Sequence, residues 1–210
     1  MNISTKVVLL VGLAACTPAQ TAPSPAAPLP PMQGEQANTR AFEPPTEKPA
    51  AEPTTEGEGT LGTAPGGTLV RSDAAKVDVS SFYAEGGAVV VFYRGHWCKP
   101  CRAQLAELQT NIDRFMGQGF KVYAISVDAP SDSAELKQTL GLGFDLYSDT
   151  SGLAANAWSV YSAEHGLARP AVFVVRKGGV IAAKFVTETP THRPPMEELL
   201  AAVERASAAN

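Results

Sequence analysis

Cysteine and histidine are scarce: the chain has three of each in 210 residues. So few cysteines exclude a disulfide-stapled scaffold. Two of them, Cys98 and Cys101, form one C-x-x-C pair, and no second pair follows. Zinc would need two further ligands that this spacing does not supply. Basic residues are not in excess either, since 17 Lys and Arg face 21 Asp and Glu for a formal charge of −4. No basic stripe or stacked aromatic series offers a nucleic-acid surface, so no such partner is expected. No internal repeat is evident. The apolar run at residues 7–15 (VVLLVGLAA) falls well short of the roughly 20 residues that a bilayer span takes.

That run has instead the length of a signal-peptide apolar core behind a short, singly basic start. Leu13-Ala14-Ala15 then meets Cys16, and this tetrapeptide resembles a bacterial lipobox. The resemblance implies cleavage before Cys16, lipidation of Cys16, and a membrane anchor facing the periplasm in the cell envelope. Residues 1–15 are thus expected to be the lipoprotein signal. Residues 16–67 are rich in Pro, Ala, Thr, Glu and Gly, with Phe42 as their single aromatic. Such a stretch buries too little surface to offset its ordering entropy, and it is expected to be a disordered tether. At polyproline extension it would span on the order of 150 Å. The folded domain is then expected at 68–206, with 207–210 a tail.

Within that domain, residues 88–93 (AVVVFY) form a continuous apolar, β-branched run, which predicts a buried central strand. From Cys98 the pattern changes to helical spacing, with Leu105, Leu108, Ile112, Phe115 and Met116 on one face and glycines 117 and 119 at its end. Residues 120–127 predict a second strand. Ser131 or Asp132 is expected to cap a helix reaching Leu140. A short strand at 144–147, a short helix at 151–157, and strands at 171–175 and 180–186 around Lys177-Gly178-Gly179 follow. A last helix is expected from Pro194 or Pro195, with Met196, Leu199, Leu200 and Val203 inward. Strands alternating with helices and then meeting a hairpin predict an α/β fold with a mixed central sheet and helices on both faces.

The cysteine pair is therefore placed where a strand ends and a helix begins. Backbone N–H groups and the helix dipole stabilise a thiolate there. Arg94, His96, Lys99 and Arg102 are close in sequence and push the same way. Pro100 suits the first helical turn, where its missing N–H has no partner to lose. Trp97 supplies an apolar shoulder to the sulfur. A thiolate attacks disulfides and peroxides, and a second cysteine three residues on can close upon the first.

Strand, then W-C-x-P-C, then amphipathic helix resembles the thioredoxin superfamily. FYRGHWCKPCRAQL (92–105), VYAISVDAPSDSAELKQTLGLGFDLYSD (122–149) and GLARPAVFVV (166–175) resemble its alkyl hydroperoxide reductase/thiol-specific antioxidant branch, the peroxiredoxin-like redoxins. The resemblance implies a thioredoxin-like fold and a cis peptide bond at Arg169–Pro170, facing the cysteines. It implies no organic cofactor and no metal, with disulfide-bearing or thiol proteins, or hydroperoxides, as partners. Typical peroxiredoxins carry P-x-x-x-T-x-x-C. Aligned on Cys101, this chain has Arg94 for the proline and Cys98 for the threonine, so both residues that shape the peroxide pocket are absent. Thiol–disulfide exchange through Cys98 and Cys101 is the expected activity, with Trp97, Lys99, Pro100, Arg169 and Pro170 lining the site.

Alternatives remain at this level. Cys101 or Cys98 could be the peroxide-reactive sulfur of a hydroperoxide reductase, with Arg169 orienting the peroxide. A copper-assembly module would use both cysteines with His165 or His96. Asp149 reads as a proton relay or as a cap, Glu107 as a relay or a solvated acid, and Trp158 and Tyr161 as core.

Overall fold

The structure is a computed structural model, and it describes residues 61–187 and 189–209. The signal and lipidation readings at 1–16, and most of the tether, lie outside the described residues. Among those described, no helix is long and apolar enough to cross a membrane.

Nine strands and five α-helices are formed among the described residues: β1 (Thr68–Arg71), β2 (Lys76–Asp78), β3 (Gly87–Phe92), α1 (Lys99–Thr110), α2 (Ile112–Gly117), β4 (Phe120–Ser126), α3 (Pro130–Leu140), β5 (Asp145–Ser148), α4 (Leu153–Ala157), β6 (Tyr161–Ser162), β7 (Leu167–Ala168), β8 (Ala171–Val175), β9 (Ile181–Val186) and α5 (Met196–Ala208). A 3-10 helix at Val79–Tyr83 joins β2 to β3. Seven strands make one sheet in the order β2-β1-β5-β4-β3-β8-β9, parallel at β3–β4 and β4–β5 and antiparallel elsewhere. This is the mixed α/β sheet of a thioredoxin-like fold.

Strand alternation divides the core into two layers. Val89, Val91, Val122, Ala124, Val172 and Val174 face α1, α2, α3 and α5. Val90, Phe92, Ile125, Phe173 and Val175 face the 3-10 helix, α4 and Trp158. All six residues of β3 are buried, as a strand covered on both faces requires. A register shift opposite Val174/Val175 inserts Ala182 into β9. Ile181 therefore packs in one layer while Ala183 and Phe185 pack in the other.

Several local expectations are corrected. The helix expected from Cys98 to Met116 breaks at Asn111, where Nδ2 donates to the Glu107 carbonyl at 3.0 Å and the backbone leaves helical geometry. α3 has no side-chain cap from Ser131 or Asp132. It begins at Pro130, whose fixed φ suits a first helical position, and ends on Gly141 with φ 61°. The β6–β7 hairpin and β1–β2 were too short and too polar to show a period. Packing also begins before Thr68: Leu61 N donates to Ile181 O, Ala64 N donates to Gly179 O, and Ala64 is buried.

Candidate active site

β3 ends at Phe92, and the chain must turn out of the sheet to start α1 seven residues later. Tyr93 continues the pairing by donating its N–H to Ile125 O at 3.0 Å. The turn folds back on itself at Gly95, where a Cβ would stand 2.6 Å from Trp97 Nε1 and 3.0 Å from Asp128 Oδ1. Only glycine fits without displacing one of them. Cys98 then takes the N-cap position of α1 in extended geometry, with Pro100 in the first turn. Its N–H donates to Gly95 O at 3.1 Å, and its carbonyl accepts from Arg102 N at 3.0 Å.

Both cysteines are free thiols. Cys98 is 3% exposed and Cys101 is 0% exposed. Burial, and then the adjoining Cys98 sulfur, push the Cys101 thiol above its ordinary range. A hydrogen bond to the Arg94 backbone and the Arg193 charge pull the other way without overcoming them. Cys101 therefore holds its proton at neutral pH.

The nearby cations do not sit where sequence proximity placed them. Arg94 stacks over the Trp97 ring at 5.1 Å. Arg102 Nη1 donates to His96 O at 3.3 Å. Lys99 is exposed. The cation at the sulfurs is Arg193, more than 90 residues downstream: its Nη2 donates to Cys101 Sγ at 3.0 Å and stands 3.9 Å from Cys98 Sγ. Arg193 lies between β9 and α5, and its Nη1 also donates to Pro190 O at 3.1 Å, which pins the loop. In the sequence it is one arginine in a His-Arg-Pro-Pro stretch, with no spacing that ties it to the cysteines.

Trp97 is 53% exposed beside Cys98, as a rim residue should be. Arg169 and Pro170 lie beside the site in a cleft of about 510 Å³ that they share with Arg94, Tyr161 and His165. The expected cis bond is not found: all described peptide bonds are trans. Arg169 N donates to Val160 O at 2.7 Å and Pro170 O accepts from Thr187 N at 3.2 Å, which holds the segment extended. Asp149 is a cap: it is buried, and its Oδ2 accepts from Ala155 N at 2.8 Å. Glu107 is exposed, while Trp158 and Tyr161 pack in the core layer.

The histidines fall into different surroundings. His165 Nδ1 pairs with Ser162 Oγ at 3.1 Å in the β6–β7 turn. His96 pairs with Asp128, whose Oδ2 accepts the His96 N–H at 2.8 Å while Oδ1 lies 3.1 Å from His96 Nδ1. Among the described residues, His96, Asp128 and Asp132 bring their donor atoms within 4.8 Å, and this set contains neither cysteine. Within this set Asp128 accepts from both His96 and Ser126.

Two thiols at a strand-to-helix junction, on a sheet of this order, define a thioredoxin-like redoxin domain. The chain belongs to the AhpC/TSA family, whose model matches residues 62–184. It is 27% identical over 107 residues to the thiol-disulfide oxidoreductase ResA of Geobacillus thermodenitrificans, covering 50% of this chain and 58% of that protein. It is 26% identical over 121 residues to alkyl hydroperoxide reductase E of Mycobacterium tuberculosis, covering 57% of this chain and 79% of that protein. The fold matches peroxidoxin BcpB from Mycobacterium tuberculosis with a TM-score of 0.62 and 18% identity, over 70% of this chain and 96% of that one.

Proposed function

We propose that the protein is a thiol–disulfide oxidoreductase in which Cys98 attacks and Cys101 resolves. The observation that carries this reading is the asymmetry of the pair. Cys98 is at the helix N-cap beside an exposed Trp97, whereas Cys101 is fully enclosed and keeps its proton. The Cys98 thiolate displaces one sulfur of a substrate disulfide, forming a mixed disulfide and releasing a thiolate. Cys101, once deprotonated, attacks Cys98 Sγ and expels the second substrate thiolate. Two electrons have passed to the substrate, and the Cys98–Cys101 disulfide remains for a thiol donor to reduce.

Trapping tests it. Cys101→Ser should accumulate a mixed disulfide with a model disulfide substrate, and Cys98→Ser should accumulate none. Accumulation on Cys101 in the Cys98→Ser protein instead would refute the order.

A second reading, thiol-dependent hydroperoxide reduction, is favoured by Arg193 against Cys101, because a guanidinium there would hold an anionic sulfur. It requires peroxide to reach a sulfur with no exposed surface. Peroxide consumption by the thiol-reduced protein no faster than by free cysteine would end it. Residues 1–16 further support a lipid anchor at Cys16, placing the domain in the bacterial envelope. Loss of membrane association in Cys16→Ala is the expected result, and retention would refute it.

A further inference from the structure

The stretch between β9 and α5 is held to the domain by few bonds. Residues 189–195 (TPTHRPP) include three prolines, which have no N–H to donate. β9 is closed at Thr187, whose N–H donates to Pro170 O at 3.2 Å, and α5 opens at Pro195, whose carbonyl accepts from Leu199 N at 3.1 Å. Among the described residues, no backbone hydrogen bond ties 189–194 to another strand or helix. Thr189, Pro190 and Thr191 are exposed. A segment held in this way can detach without breaking the sheet.

One side chain fastens it beside the cysteines. Arg193 Nη1 folds the segment on itself, donating to Pro190 O at 3.1 Å and to His192 O at 2.5 Å. Arg193 Nη2 reaches outward, 3.0 Å from Cys101 Sγ and 3.9 Å from Cys98 Sγ. His192 and Arg193 also border one small cavity with Gln104 and Pro170, so the segment lies against α1 and the start of β8. Among the described residues, no carboxylate pairs with Arg193. The ionisable groups it faces are the two sulfurs.

This tie depends on the redox state of the pair. Reduced sulfurs accept the guanidinium N–H, most strongly when one of them is a thiolate. Disulfide formation takes two electrons and two protons from the pair, and the substrate disulfide receives them as it becomes two thiols. The bonded sulfurs no longer ionise, and they draw to about 2.05 Å from each other. Arg193 is then a half-buried cation with no anion beside it, a costly arrangement that a turn toward solvent relieves.

We propose that residues 189–195 form a strap, held by Arg193 on the reduced cysteines and released when they become a disulfide. Release serves the next half of the cycle, because Cys98 is 3% exposed and Cys101 is 0% exposed. A donor thiolate must reach Cys98 Sγ. As its bond to that sulfur forms, the Cys98–Cys101 bond breaks and Cys101 leaves as a thiolate. That anion draws Arg193 back. A second donor thiolate then attacks the donor sulfur, leaving as the donor disulfide and returning Cys98 to its thiolate. The strap thus shields the reduced pair and opens the oxidised pair to its reductant.

This inference rests on the exchange cycle proposed above, and the experiment reads the two apart. The full chain, reduced or oxidised, is treated with phenylglyoxal, which modifies accessible guanidinium groups. Mass spectrometry follows Arg193, with exposed Arg205 as the internal standard. Relative to Arg205, Arg193 should react at least about tenfold faster in the oxidised chain, the factor that loss of one hydrogen bond to a charged group supplies. Reduced Cys101→Ala should show the fast rate without any disulfide, because the 3.0 Å partner is gone. Equal or slower reaction of Arg193 in the oxidised chain would overturn the strap, and so would a slow rate in Cys101→Ala. Should Cys101→Ala fail to fold by circular dichroism, the two redox forms of the unaltered chain decide alone. Intact mass of the oxidised chain reports the disulfide itself as the loss of two hydrogens, restored by a thiol donor. Its absence would refute the exchange cycle and the strap together, whereas a reversible disulfide with unchanged Arg193 reactivity would overturn the strap alone.

Discussion

Replacing Arg193 with glutamine removes the cation that, among the described residues, hydrogen-bonds the sulfurs. Its Nη2 lies 3.0 Å from Cys101 Sγ, a charge-assisted hydrogen bond once that sulfur is ionised. Such bonds contribute about 1.5–3 kcal/mol. Coulomb's law gives roughly 4 kcal/mol for charge centres about 4 Å apart at an effective dielectric of about 20. The lower range is the better guide here, because Arg193 is only half-buried and water screens it. At 1.36 kcal/mol per unit, the Cys101 pKa should rise by about one to two units. Burial has already raised it, so the substitution adds to an existing shift. The resolving step at neutral pH should slow by about ten- to a hundredfold, through a displaced pH midpoint rather than a lower plateau. The assay is the ultraviolet absorbance of the Cys101 thiolate against pH, in a Cys98→Ser background with and without Arg193→Gln. Arg193→Lys controls for the loop anchor to Pro190, since it keeps the charge and loses the fork. An unmoved or lowered midpoint in the glutamine protein would refute the electrostatic role of Arg193.

Two further results are expected. Phe92→Ala, in the central strand and in ring contact with Trp158 and Phe173, should destabilise the protein by about 3–5 kcal/mol in urea unfolding; a loss below about 1 kcal/mol would mean the layer collapses around the cavity. The reduced protein should lose stability as pH rises above the ordinary thiol range, and the oxidised protein should not. The sign follows from Cys101: its folded pKa is raised, so above the unfolded value the unfolded state binds fewer protons, and stability falls until the folded pKa is passed. Parallel unfolding curves for the two redox forms across that range would contradict the raised pKa.

The core strands were legible in the chain because they are buried on both faces and so are written as unbroken apolar runs; β3 and β8 are such runs. The Cys-Lys-Pro-Cys segment was legible because its chemistry is local. Strand end, N-cap and first helical turn are set within about ten residues, so spacing alone places both sulfurs at one helix start. The break at Asn111 was not legible, since a side-chain amide reaching the Glu107 carbonyl leaves the apolar period unchanged. Nor was the trans bond before Pro170, which is held by hydrogen bonds from the ends of two other segments.

By itself, then, the sequence determined the fold class, the redox pair and its place at a strand-to-helix junction, because each depends on neighbours in the chain. Tertiary structure decided what surrounds that pair. Arg94 and Arg102 were drawn away to Trp97 and to the His96 carbonyl, and Arg193 was brought in from the far end of the domain. The parallel pairing of β3 with β4 brought Asp128 against His96, in the turn that leads to Cys98. A thiol's charge is set by whatever lies within a few ångströms of it, and folding rather than chain order chooses those groups.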